Sequence, residues 1–149
     1  MRKALSLIVL TVLMACSSND KEDSPELDQT FLEKYHNTIW LQQDTETQTV
    51  YRHFKNDLND AVVTHYDGPG ACFETGEYDL NFDEIMENSL NKLEIKFNYS
   101  VNEYQIDTYT FSNGVMTYHW YEFYFGSVTE ATYTLVETSL SINNINFCN

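Results

Sequence analysis

Four histidines, three cysteines and 23 acidic residues are the groups through which this chain of 149 residues could do chemistry. His53 and His65 have the most usable spacing: if their strands pair across residues 56–59, the two imidazoles become neighbours, and Asp67 falls on the face that carries His65. Two imidazoles and a carboxylate are a metal-ligand set, but surface histidines on an acidic protein are commoner, and no metal is expected. His36 and His119 lie apart from that pair. The run Asp79-Leu80-Asn81-Phe82-Asp83 places oxygens at alternate positions, as calcium loops do. It has Glu84 where such a loop needs glycine and Leu90 where it needs the closing glutamate. Asp83, Glu84 and Glu87 therefore read as a solvated loop or a helical turn. There is no GxSxG, no HExxH and no phosphate-cradling glycine loop. Carboxylate pairs such as Asp107 and Glu122 arise by chance in so acidic a chain. The expectation is a protein that is not an enzyme and uses no cofactor.

The first segment carries an address. Arg2 and Lys3 precede an apolar run from Ala4, which ends in Leu13-Met14-Ala15-Cys16. A charged start, a short apolar stretch and a small residue before the cut are the parts of a secretory signal, and the last four residues resemble a bacterial lipoprotein lipobox. The resemblance implies cleavage of residues 1–15 and acylation of Cys16, with residues 16–24 as a polar tether. The run is shorter than the ~20 apolar residues of a membrane-crossing helix, so a lipid anchor is expected in its place. The Ser/Asp/Glu-rich stretch after Cys16 is similar to the export signal of Bacteroidetes-type lipoproteins. That implies an outer-membrane lipoprotein facing the periplasm or the cell surface. With Cys16 lipidated, Cys72 and Cys148 remain as an even pair in an oxidising compartment, and a disulfide is the default. A redox or metal-binding thiol is the alternative, without a CxxC to support it.

Loss of Arg2 and Lys3 from the 8 Lys+Arg leaves 6 against 23 Asp+Glu, a formal mature charge of −17. Nucleic acid, whose phosphates need a basic surface, is excluded as a partner, and flat adsorption to anionic headgroups is disfavoured. A cationic protein is electrostatically acceptable.

What must position any site is a single domain over residues 25–149. Ser24 and Pro25 suit an N-cap and a first helical position. Leu27, Phe31 and Tyr35, with Leu32 beside them, form one apolar helical stripe, expected to lie across an end or flank of a sheet. From residue 39 the period changes to two. Strands are predicted over residues 39–43, 49–55, 60–67, 72–80, 93–101, 104–112, 115–125 and 129–137, with Leu140, Ile142, Ile145 and Phe147 in a last Asn-rich strand. Asn113-Gly114 is the favoured dipeptide of a two-residue hairpin and sets Ser112 against Val115. The fold class is all-β: an antiparallel up-and-down meander of about eight strands curling into a barrel, with a short N-terminal helix.

The segment Phe31-Leu32-Glu33-Lys34-Tyr35-His36-Asn37-Thr38-Ile39-Trp40, followed by a cysteine in a Tyr/Phe-rich strand, resembles the lipocalin-like small lipoproteins of Bacteroidetes. The resemblance implies a fold and a location, with no ligand or catalytic residue to carry over. The expected role is a non-enzymatic binding module for a small apolar or amphipathic ligand. The residues expected to line it are Trp40, Leu93, Ile95, Phe97, Tyr99, Tyr109, Phe111, Tyr118 and Trp120. Tyr and Trp rings on a sheet can stack on sugars or bases, and more commonly they fill a core. The alternative role is an interaction protein whose acidic or aromatic face engages a cationic protein.

Overall fold

Inward-facing side chains change from apolar to polar along the strands Val50–Phe54, Val62–Asp67, Glu103–Ser112 and Val115–Tyr124, and that gradient organises the molecule. The computed structural model describes residues 29–43, 48–76 and 83–148. Its elements are a helix α1 (Phe31–Tyr35) and nine strands: β1 (Ile39–Gln42), β2 (Val50–Phe54), β3 (Val62–Asp67), β4 (Phe73–Thr75), β5 (Glu84–Asn88), β6 (Lys92–Ser100), β7 (Glu103–Ser112), β8 (Val115–Tyr124) and β9 (Ser127–Glu137). All join one antiparallel sheet in the order β4-β3-β2-β1-β9-β8-β7-β6-β5, curled into a half-barrel. The architecture is the all-β meander expected, with β1 inserted between β2 and β9 and the open edges at β4 and β5.

Local chemistry explains the elements. Asn113 and Gly114 both take positive φ, 53° and 80°, as a two-residue turn that matches strand twist requires. Ser112 pairs with Val115 as the dipeptide predicts. The helix is shorter than its apolar stripe suggested. Thr30 is its N-cap in extended conformation, and a reciprocal capping box with Glu33 closes the first turn. One helix running on from Ser24 is therefore ruled out, because the chain at Thr30 is not helical; Ser24 and Pro25 themselves lie outside the described residues. Phe31, Leu32 and Tyr35 are buried and plug one end of the concave face. Phe31 packs edge-on against Phe54 at 5.3 Å, and Tyr35 against Trp40 at 5.9 Å.

Three other expectations are corrected. Glu84–Asn88 is a strand paired with β6, in which Ile85 stands opposite Ile95 of β6 and packs against the core. The turn after β8 is centred on Phe125 and Gly126, both at positive φ, so Phe125, expected as the last residue of the strand over 115–125, lies in the turn. The last apolar residues form a strap, residues 138–148, in place of a regular strand. A 3-10 turn at Ile142–Asn144 bends it, and only Phe147 bridges to Phe73.

That strap leaves β9 beside β1, where Thr138 donates to the Ile39 carbonyl, and reaches β4, where Cys148 N–H donates to the Phe73 carbonyl. It crosses the convex side of β2 and β3, and a second small core lies under it: Ile39, Val63, His53 and His65 are all buried. Cys72 and Cys148 are bonded, with Cα atoms 5.0 Å apart. Gly68 permits this approach, since a Cβ there would stand 2.5 Å from the Cys148 sulfur.

Candidate functional site

On β7, the inward side chains run Phe111, Tyr109, Asp107, Gln105 from the plugged end to the open end. On β8 they run Met116, Tyr118, Trp120, Glu122. On β2 and β3, Phe54 and Val62 give way to Arg52 and Thr64. The plugged half is a filled apolar core of Phe31, Phe54, Leu93, Ile95, Tyr109, Met116 and Leu135. Above it the half-barrel keeps a cavity of about 240 Å³ lined by Arg52, Thr64, Tyr66, Phe97, Tyr99, Gln105, Asp107, Tyr118 and Trp120. A lobe of about 230 Å³ shares Arg52, Tyr118 and Trp120 with it and adds Gln42 and Tyr133.

A polar network forms the floor of this cavity. Arg52 donates from Nε and Nη2 to Gln42 Oε1 at 3.2 and 3.0 Å, and from Nη1 to the Thr64 hydroxyl. Its guanidinium lies 4.4 Å from the centroid of the Tyr118 ring, a stacking geometry that suits a delocalised cation. Tyr118 itself stacks between Tyr109 at 4.9 Å and Tyr133 at 5.9 Å, the cross-strand neighbours that the register dictates. Opposite, the Tyr99 hydroxyl donates to Gln105 Oε1 at 2.5 Å, and Gln105 Nε2 donates to Asp107 at 2.7 Å. Burial, followed by the charge of Asp107, holds the Tyr118 hydroxyl well above its ordinary pKa. Tyr99 is pushed up to about 12 by burial and by the carboxylates of Glu122 and Asp107. Both phenols therefore stay neutral at physiological pH and keep their protons as donors.

Of the expected lining residues, Phe97, Tyr99, Tyr118 and Trp120 do face the cavity. Trp40, Leu93, Ile95 and Tyr109 are instead packed in the core, and Phe111 lies against it beside Tyr35. Sequence reasoning missed Arg52, Gln42, Thr64 and Gln105. One signal was present: strict alternation in Val50-Tyr51-Arg52-His53-Phe54 puts a cation on the same face as Val50 and Phe54.

His53 and His65 do become neighbours, their rings stacked at 5.7 Å. They lie on the convex side, 2 % exposed, under the strap, with Phe147 5.5 Å from His65. His65 Nδ1 meets the Thr75 hydroxyl at 3.3 Å, while both nitrogens of His53 and Nε2 of His65 have no hydrogen-bond partner among the described residues. Burial, then the neighbouring His53 and Lys55, lowers His65 to about 4; burial and Lys55 lower His53 as well. Among the described residues no group of three or more His, Cys, Asp or Glu is placed to hold a metal. The calcium-like run falls mostly outside the described residues, as does the whole signal and tether with Cys16. No described helix is long and apolar enough to cross a membrane.

The other face of the β7–β8 hairpin is half-buried. Tyr104 stacks on Tyr121 at 6.1 Å, Lys96 sits 4.8 Å above Tyr104, and with Phe123 and Val128 they line a shallow convex groove. Fold and site together define an all-β half-barrel, plugged at one end, with a polar, aromatic-walled concavity at the other. The chain matches no protein-family model, no curated protein and no solved structure.

Proposed function

We propose that the protein is a non-enzymatic, lipid-anchored binding module of the outer membrane that holds a small molecule in the concavity above Tyr118. The supporting observation is the layer of Arg52, Gln42, Thr64, Gln105 and Asp107 inside the half-barrel. Apolar side chains in that layer would avoid the desolvation that buried charges cost. A layer of this kind is the polar set that orients a ligand in an otherwise aromatic pocket. The occupant is small: about 240 Å³ lies just below the ~300–1,000 Å³ of sites for drug-sized ligands. It is also more polar than the residue pattern alone suggested, because the apolar half of the interior is occupied by the protein's own side chains.

Native mass spectrometry of the protein purified from the bacterial envelope checks this reading. The expected result is an adduct under gentle conditions that is lost on denaturation and is absent from an Arg52→Met, Asp107→Leu double variant. An adduct that persists in the double variant would place binding elsewhere. A bare mass, together with no thermal shift from any member of a small-metabolite panel, would overturn the reading.

A further inference from the structure

We propose that residues 138–148 form an acid-released strap: proton uptake by His53 and His65 lifts its middle from the convex face of β2 and β3, while both its ends stay fixed.

Hydrogen bonds to the sheet hold the strap only near its ends. At one end the Thr138 N–H and hydroxyl both donate to the Ile39 carbonyl, at 2.9 and 2.8 Å. At the other, Phe73 N–H donates to the Asn146 carbonyl at 2.8 Å, Cys148 N–H returns to the Phe73 carbonyl at 3.0 Å, and the disulfide to Cys72 secures the join. Between these ends the hydrogen bonds are the strap's own: Leu140 N–H to the Thr138 hydroxyl, Asn144 N–H to the Ser141 carbonyl and Ile145 N–H to the Ile142 carbonyl. Among the described residues, none joins residues 139–145 to the sheet. No strap residue from 138 to 148 is fully buried, and Phe147 is 40 % exposed. A segment with few buried contacts and no ladder to its neighbours opens at low cost.

What it covers is sensitive to charge. Three of the four ring nitrogens of His53 and His65 have no hydrogen-bond partner among the described residues, and the fourth meets the Thr75 hydroxyl. Neutral imidazoles bear this at a modest cost. Imidazolium rings, each with two N–H donors and a charge, do not. With their centroids 5.7 Å apart, two charged rings also repel each other.

Nothing packed around the pair offsets that cost. On β2, Tyr51 stands opposite His65, and burial and Asp67 of β3 keep its phenol neutral. Past the end of β2, Lys55 opposes a proton on either ring; Asp60, which favours one, is ion-paired to Lys55. β1 sets Ile39 opposite His53, β4 sets Thr75 opposite His65, and the strap carries no charged side chain. Lifting the strap brings water to both rings and frees their protonation. His65, held to about 4 under the cover by burial and by its neighbours, alone moves the balance towards the open strap by up to about 300-fold as the pH falls from above 6.5 to below 4. The ends stay attached, so neutral pH closes the strap again.

Amide exchange of the full chain, purified in detergent, at pH 7.5 and 4.5 tests this, with labelling times scaled for the slower intrinsic exchange in acid. The expected result is an open-to-closed ratio for the strap that rises at least ~10-fold at pH 4.5, while β7 and β8 keep their protection. In a His53→Leu, His65→Phe double variant the rise should disappear. An equal rise in the variant overturns the proposal in favour of carboxylates. So does loosening of every strand together, which would make the event global, and so does a strap with the same protection at both pH values. If the variant does not fold, histidine side-chain NMR of the unmodified chain decides: both rings should take up protons over the pH range in which the strap opens. Rings that protonate beneath a closed strap overturn the proposal.

Discussion

His53 and His65 are stacked, buried and almost without hydrogen-bond partners, in a place where the strap and not the concavity surrounds them. Burial disfavours their protonation first, Lys55 adds to that and Asp60 opposes it, while the strap, which carries no charged side chain over residues 138–148, sets Phe147 against His65. An unfolded chain takes up its proton near 6.5; the folded chain resists until about 4 at His65. The unfolded state therefore binds more protons across that window, so stability is fully present above 6.5 and falls as the pH drops towards about 4. Urea unfolding midpoints measured across the window should decline steadily for the native chain. In His65→Phe, which places a second ring against Phe147 without a titrating nitrogen, the decline should be much shallower. An equally steep decline in the variant would assign the acid sensitivity to carboxylates.

The turn between β8 and β9 carries a contradiction at the scale of the element. Phe125 has φ of 48° and is 80 % exposed, in a backbone region where a bulky side chain is strained by ~1–2 kcal/mol. Gly126 beside it takes the same region at no cost. Phe125→Asn should therefore raise the stability by about 1 kcal/mol, read as a higher urea midpoint with an unchanged slope; no gain would mean that the contact between Phe125 and Tyr124 at 4.3 Å offsets the strain. The same turn shows how much of the fold was legible. Asn113-Gly114 has the residues its turn demands, so its register could be read from the chain. Phe125-Gly126 does not, so Phe125 reads as the end of a strand. Glu84–Asn88 was missed because its acidic residues mask one inward isoleucine that only β6 reveals. The strap reads as a strand because its apolar residues alternate loosely, yet they serve a convex face whose need for cover is a tertiary fact. The site was legible in its aromatics and not in its polar floor: Arg52 and Asp107 come from strands distant in sequence, and only the curl of the sheet sets them around one cavity.

For the molecule as a whole, the disulfide and strap bind the least regular part of the sheet. β4 is three residues long and stands at an edge, where it would fray. The bond to Cys148 holds it against the strap and closes a long loop, with a sequence separation of 76. Replacing both cysteines by serine should cost about 4 kcal/mol on the chain-entropy account. Amide exchange should accelerate first in β3, β4 and the strap, while β7 and β8 keep their protection. Uniform acceleration throughout the sheet would show that the bond supports the whole structure equally. The strand order has a consequence in time as well as in space. β6 to β9 follow one another through tight turns and can pair as soon as they exist, whereas β1 must wait for β9, with Trp40 set against Glu137 across most of the described chain. Non-local pairing of this kind is slow to nucleate. Pulse-labelled exchange during refolding should therefore find β7 and β8 protected before β1 and β2. The part of the domain synthesised first is then the last to become native: β1 to β4 can pair among themselves, but the outer edge of β1 stays open until β9 arrives.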